Sequence, residues 1–298
     1  MQAAPMNRSA GNLRSIYMML IAVVMFSLMD TAMKLLAADF PAMQVASLRS
    51  LASLPLIVAY VAWRGGFTSI LRVHWPLHLL RAGLGIMMLA SFAFGVNQLS
   101  LAEAYSIFFI APALITALSV WILKERVSGG QWVAIAVGMA GVLVVLRPSG
   151  EGVLTTGGLA ILAAAAMYAV SSITGRILSR LDSSAHMVFW LMTLMAIGAT
   201  ALAWPNWKAV PMDRLPLLCG LAFSGFFAQL AITEAFAHGE ASRVAPFEYS
   251  ALAWGVALDW VLWQVLPDRY TLIGATIIIA SGLYLIRREK VHVESEKP

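Results

Sequence analysis

Asp30, Arg49, Arg81, Glu248 and Asp259 each sit inside a long apolar stretch of this 298-residue sequence. Ionisable groups in such stretches are costly, and they mark substrate or ion pathways, proton relays or pairs between helices. Counted at about 1.5 Å per residue, Asp30 and Arg49 lie roughly 9–10 Å inside one end of their stretches, with Asp259 at a similar depth. Arg81 and Glu248 lie roughly 9 Å inside the opposite end of theirs. Opposite charges can therefore form one layer on each side of a midplane, as alternating gates around a central site require. Arg81 and Glu248 are the candidate gate pair. The plain alternative is that these charges lock helices together and that Arg81 snorkels to lipid headgroups.

Aromatic and hydroxyl side chains supply a second set, the candidate substrate-binding residues. Phe26 and Asp30 are four residues apart and share a helical face. Tyr168, Ser171 and Ser172 occupy the corresponding stretch of a second copy described below. Tyr105, Phe109 and Pro112 line up along one apolar run, where the proline frees a carbonyl and permits a bend. Tyr249 and Trp254 follow Pro246 in another. A cavity lined this way suits a molecule with an apolar side chain and a few polar groups. Trp63, Trp75, Trp204 and Trp207, by contrast, fit an interfacial belt.

The elements that must carry these residues are membrane spans. The chain is 60% hydrophobic and 12% charged, with a mean hydropathy of +0.81. Ten apolar runs cover Ser15–Leu36, Ala42–Trp63, Trp75–Gln98, Leu101–Leu123, Gln131–Leu146, Gly158–Gly175, His186–Trp204, Leu215–Phe236, Val244–Leu266 and Thr271–Ile286. Most reach the roughly 20 residues a crossing needs; the fifth, sixth and tenth are near the lower limit. Lipid admits only helices or closed barrels, and no strict alternation of apolar and polar residues supports a barrel. The expected fold is all-α and integral to the membrane.

The second five spans echo the first five. Met25-Phe26 followed by Lys34-Leu35-Leu36 recurs 142 positions later as Met167-Tyr168 followed by Arg176-Ile177-Leu178. Ala102-Glu103-Ala104 recurs as Gly239-Glu240-Ala241. Because five is odd, the second copy enters the membrane from the opposite side, so the repeats are inverted. Inverted repeats place a site between them near the midplane and allow it to face either side in turn, which makes a transporter the first hypothesis. The expected organisation is an N-terminal segment over 1–14, repeats over 15–147 and 148–287, and a C-terminal tail over 288–298. With both termini on one side, that side holds thirteen Lys and Arg residues and the other five, Arg49 and Arg81 being left out as intramembrane. The imbalance places both termini in the cytoplasm. The net charge of +5 then reflects topology and not nucleic-acid binding.

Other chemistry is not indicated. There is no GxxxxGK[ST] loop for ATP, no HExxH and no metal-spaced Cys/His cluster, so neither a cofactor nor a metal is expected. No nucleophile and base are singled out, so an enzyme is not expected. The single Cys219 excludes an intrachain disulfide. The first run is too long for a signal peptide and carries Asp30 and Lys34, so it reads as an anchor. The tail from Lys290 reads as short, polar and disordered. Ala134, Gly138 and Gly141, with Gly274 and Gly282, allow close helix contact, within one chain or in a dimer; a monomer or weak homodimer is expected.

Leu99-Ser100-Leu101-Ala102-Glu103-Ala104, then Ile110-Ala111-Pro112, then Leu123-Lys124-Glu125-Arg126-Val127 resemble the EamA-type repeat of the drug/metabolite transporter superfamily. Gly138-Met139-Ala140-Gly141-Val142 continues that pattern, and the second half carries a weaker copy ending in Gly274 and Gly282. Val265-Leu266-Pro267-Asp268-Arg269 departs from it where a Lys-Glu-Arg-like stretch belongs, which makes that stretch a loop and helix-end feature. The resemblance covers nearly the whole chain. It implies ten helices around a central cavity and a secondary transporter of the bacterial inner membrane that exports amino acids, aromatic ones included, or related metabolites. Uptake or exchange of a metabolite such as S-adenosylmethionine, and drug efflux, are the alternatives within transport; a non-transporting scaffold is a further one.

Overall fold

The computed structural model describes residues 8–64, 69–99, 101–148, 154–264 and 266–295. Residues 1–7, Ser100, Val265 and residues 296–298, all named above, lie outside them. Among the described residues every regular element is helical. The first three spans are single helices, α1 (Arg8–Ala37), α2 (Ala42–Trp63) and α3 (Trp75–Val96). The fourth is broken into α4 (Leu101–Phe108) and α5 (Ala111–Leu118), which ends in a π turn over Ser119–Leu123. Then follow α6 (Gly129–Leu146), α7 (Thr156–Leu178), α8 (Ser184–Ala203) and α9 (Leu215–His238). The ninth span is broken again, into α10 (Ala241–Val244), a 3-10 turn over Ala245–Tyr249 and α11 (Ser250–Trp263). The chain ends in α12 (Arg269–Ser295). Nine of these segments are long and apolar enough to cross a membrane, and the broken α10–α11 segment accounts for the tenth expected span.

Both breaks have one cause. Proline cannot donate to the carbonyl four residues back, and its ring crowds that carbonyl. Ile110-Ala111-Pro112 starts α5, and Val244-Ala245-Pro246 starts the 3-10 turn, the same two-residue approach to proline in each repeat. The ends differ from the sequence expectation in extent. α1 already begins at Arg8, α7 is 23 residues long rather than marginal, and α12 runs through the start of the tail to Ser295.

The helix pairing carries the inverted repeat. α1 packs most extensively on α9 and α3 on α7, that is, span 1 on span 8 and span 3 on span 6. A twofold exchange of the repeats turns one of these pairs into the other. The remaining major pairs, α2 with α8 and α6 with α12, each map onto themselves. Ser47 and Thr200 share a 2.6 Å hydrogen bond within the α2–α8 pair. In the α6–α12 pair the backbones nearly touch. A Cβ added to Gly274 would stand 2.6 Å from the Gly141 carbonyl oxygen, so nothing larger than glycine fits there without separating the helices. Gly141 and Gly274 thus serve packing within the chain.

Polar contacts tie the helix ends. On the face bearing the start of α1, the Glu125 carboxylate accepts the Ala241 and Ser242 backbone N–H groups, each at 2.9 Å, and the Ser242 hydroxyl at 2.6 Å. It therefore caps α10 from a loop of the other repeat, the helix-end role expected for the Lys-Glu-Arg stretch. Asp182, between α7 and α8, accepts from the His74 backbone N–H at 3.0 Å and pairs with the His74 and His78 rings at 3.0 and 2.9 Å. Partial burial would raise the Asp182 pKa, but these hydrogen bonds outweigh it and hold the carboxyl below its ordinary value. On the opposite face, Arg214 meets Asp39 at 2.6 Å, Lys34 meets Asp259 at 3.1 Å, and Arg147 meets Asp268 at 2.5 Å. Hydrogen bonds from Thr271, ahead of the one from Arg147, hold Asp268 at a pKa of about 2. Asp259 is thus committed to Lys34 and does not complete the charge layer expected with Arg49.

Candidate functional site

A cavity of about 330 Å³ lies between the repeats. Residues of α1, α2, α3, α4, α5, α7, α8, α9, α11 and the 3-10 turn line it, whereas α6 and α12 contribute none. Its polar groups come from both halves. Asp30 of α1, Arg49 of α2 and Arg81 of α3 belong to the first repeat, and Tyr168, Ser171, Ser172, Gln229, Thr233 and Glu248 to the second.

Tyr168 is the hub of this arrangement. Its hydroxyl donates to Glu248 Oε1 at 3.0 Å, its ring lies 5.8 Å from that of Phe108, and it is within electrostatic reach of both Arg49 and Arg81. Arg49 lies over the Phe26 ring at 5.6 Å and within electrostatic reach of Asp30, and both charges line the cavity. Asp30 is solvent-exposed although it sits mid-helix, because it borders the cavity. The Ser172 hydroxyl is spent on its own helix, donating to the Tyr168 carbonyl at 3.0 Å. Arg81 is only 8% exposed, and its Nε and Nη1 atoms have no hydrogen-bond partner.

Of the residues expected at the site, Phe26, Asp30, Tyr105, Phe109, Tyr168, Ser171, Ser172, Arg81 and Glu248 border this cavity together. Tyr249 and Trp254 do not. Tyr249 is buried behind the cavity wall, its ring 6.2 Å from Phe109 and seated over Gly138, where an added Cβ would stand 2.7 Å from ring atom Cδ2. Trp254 points outward from α11 and is 43% exposed. The cause is the 3-10 turn. It resets the helical azimuth after Pro246, so that Glu248 and Ala251 face the cavity in place of their neighbours. The expected Arg81–Glu248 ion pair is not formed either: no nitrogen of Arg81 lies within 4.0 Å of a carboxylate among the described residues, and Glu248 is bonded to Tyr168 instead.

The family assignment follows from the repeat itself. The sequence model of the EamA-like transporter family matches twice, over residues 13–147 and 155–288. The chain belongs to the EamA-like transporter family. It is similar to a pseudopaline exporter of Pseudomonas aeruginosa, 24% identical over 91% of this chain and 95% of that one. It is also similar to an S-adenosylmethionine uptake transporter of Rickettsia prowazekii, 27% identical over 95% and 96% of the two chains. A riboflavin transporter of Vibrio cholerae is 26% identical over 91% and 92%. A solved crystal structure 19% identical in sequence superposes with a TM-score of 0.79 over 95% of this chain and 99% of the other, which fixes the fold.

The cavity of this EamA-like protein also contains residues that sequence reasoning did not single out for binding. Arg49, in sequence a layer charge, is one of them. Gln229 and Thr233, four apart on α9, were missed, although polar residues in an apolar run are the signal that found the others. Six methionines, Met19, Met29, Met88, Met187, Met192 and Met195, supply much of the apolar wall. Thioether chains have three rotatable bonds and a polarizable sulfur, so such a wall adapts to differently shaped apolar groups. Nothing in the spacing of these methionines distinguishes them from lipid-facing ones.

Proposed function

We propose that this EamA-like protein is a secondary transporter that exports amino acids, hydrophobic and aromatic ones among them, across a bacterial inner membrane by alternating access. What supports this is the make-up of the cavity: two cations and two anions lie in one space of about 330 Å³ beside aromatic rings and thioethers. That volume falls within the roughly 300–1,000 Å³ range of small-molecule sites. Phe26, Tyr105 and Phe109 contact the apolar part of the substrate, while Asp30, Tyr168, Ser171 and Ser172 meet its polar groups. Both termini face the cytoplasm in this reading, which the thirteen-to-five imbalance of basic residues supports. Reporter fusions after Ser295 and in the link between α8 and α9 should report opposite compartments, and a shared compartment would refute that orientation.

The deciding experiment is counterflow in proteoliposomes. Vesicles preloaded with unlabelled L-phenylalanine, L-methionine or L-tryptophan should accumulate the labelled form transiently, and protein-free vesicles should not. No accumulation with any hydrophobic amino acid would refute amino-acid export. The second reading is uptake or exchange of another metabolite, favoured by the 27% identity to an S-adenosylmethionine uptake transporter. Labelled S-adenosylmethionine in the same vesicles tests it.

A further inference from the structure

We propose that Arg81 is the anchor for a carboxylate of the transported molecule, with Glu248 and Tyr168 receiving its ammonium or other donor group, so that the substrate class is an amino carboxylate and not an amine or an apolar cation. The proposal rests on the transport reading above and assigns the polarity with which that cavity is filled. Three observations carry it. The first is the state of Arg81. A guanidinium presents five N–H donors in a fixed fork that matches a carboxylate. Here the side chain is nine-tenths buried, borders the cavity, and leaves Nε and Nη1 without a partner. A buried cation without hydrogen bonds is costly, and an arriving anion is what relieves it.

The second observation is that no carboxylate among the described residues pairs with Arg81. Asp182 is held by His74 and His78, and Glu248 by Tyr168. Asp30 faces Arg49. The third is the position of Glu248, whose Oε1 accepts one hydrogen bond from Tyr168 while the residue lines the same cavity. Arg81 borders that cavity too and is within electrostatic reach of Tyr168, so a cationic and an anionic receptor open onto one space. Beyond them, Gly85 lies one helical turn from Arg81 and brings in Met195, whose sulfur would be 2.7 Å from a Cβ placed there. An apolar side chain carried on the head group therefore meets thioether.

The test uses the full chain purified in detergent, with three probes of one shape: L-phenylalanine, 3-phenylpropionate, which lacks the ammonium, and phenethylamine, which lacks the carboxylate. Ligand-induced rise of the unfolding temperature is read for the parent, Arg81→Gln and Arg81→Lys. L-Phenylalanine and 3-phenylpropionate should stabilise the parent, with phenethylamine weaker by roughly ten- to a hundredfold in half-saturating concentration, the scale of charged hydrogen bonds. Arg81→Gln should lose the response to both carboxylates by a similar factor and, freed of an unpaired charge, unfold no earlier than the parent without ligand. Arg81→Lys should keep part of the response. Phenethylamine acting as well as L-phenylalanine on the parent, an unchanged carboxylate response in Arg81→Gln, or no carboxylate response in the parent would each overturn the proposal. Counterflow separates this from the broader reading. Amino-acid counterflow that survives Arg81→Gln with unchanged affinity overturns the anchor and leaves export standing. A carboxylate response lost in Arg81→Gln, with no counterflow in the parent, supports the anchor and removes export.

Discussion

Tyr168→Phe removes one oxygen from the centre of the cavity and little else. The ring keeps its place 5.8 Å from Phe108, and the bond from Ser172 to the Tyr168 backbone carbonyl is untouched. What disappears is the 3.0 Å hydrogen bond to Glu248 Oε1, the one the structure gives that carboxylate. Leaving a buried acceptor without its partner costs about 1–3 kcal/mol. At 1.4 kcal/mol per factor of ten, transport should fall about 5- to 150-fold wherever the rate-limiting state retains this bond. Initial counterflow rates in proteoliposomes measure the loss, and thermal unfolding in detergent shows whether folding shares it. Tyr105→Phe is the control, because Tyr105 lines the same cavity and, among the described residues, its side chain makes ring contacts with Phe92 and Phe109 and is within electrostatic reach of Asp30. That variant should stay within about twofold of the parent, the range of substitutions that break no specific contact. Glu248→Gln combined with Tyr168→Phe should cost less than the two separate losses multiplied, as residues acting through one bond do. A parental rate in Tyr168→Phe, or multiplied losses in the double variant, would refute the coupling.

Three further outcomes are expected. Glu125→Ala strips the cap from α10 and should lower stability by about 0.5–2 kcal/mol, read as an earlier thermal transition; an unchanged transition would mean that Ser242 and Ala241 find other acceptors. Asp182 has its folded pKa below the ordinary 3.8, so its stabilising contribution is complete above that value and is lost as pH falls through the folded value. The parent should therefore lose thermal stability below about pH 4 and Asp182→Asn should be less stable at neutral pH with a flatter acid limb; parallel curves would show that the His74–Asp182 link contributes nothing. Gly274→Leu must push α12 off the Gly141 carbonyl and should destabilise by about 1–3 kcal/mol without altering cavity ligand affinity; an unchanged melting profile would contradict the close approach.

The sequence announced the architecture because membrane physics leaves few options. Long apolar runs must be helices, and a five-span repeat must invert; which helices pair was not legible, but once α1 packs on α9 the repeat requires the matching pair of α3 with α7. Cavity residues were legible where a polar or aromatic side chain sat at a depth that lipid penalises, which is why Asp30, Arg81, Tyr168 and Glu248 were found. Azimuth was not legible. Tyr249 and Trp254 follow Pro246 in the sequence, which gives their depth but not their direction, and the 3-10 turn over Ala245–Tyr249 intervenes. The Arg81–Glu248 pair failed for the same reason: equal depth said nothing of direction, and Tyr168 stood closer to Glu248. Methionines escaped notice because depth exacts no cost from an apolar side chain.

The breaks in the fourth and ninth spans bear on how such a cavity changes its exposure. Irregular backbone is tolerated at membrane depth only where it lines a cavity or is covered by protein, and both breaks meet that condition. Phe109 at the first and Glu248 at the second border the cavity, while Pro246 and Phe247 are buried. A helix bends most easily where hydrogen bonds have already been given up, and Pro112 and Pro246 give them up in both repeats. The α6–α12 pair is the converse. It lines no part of the cavity, its backbones are in contact at Gly141 and Gly274, and no proline interrupts either helix. The broken spans, and α2 at Pro55, are therefore where the cavity-lining helices bend at least cost in further backbone bonds, while α6 and α12 hold the two halves together.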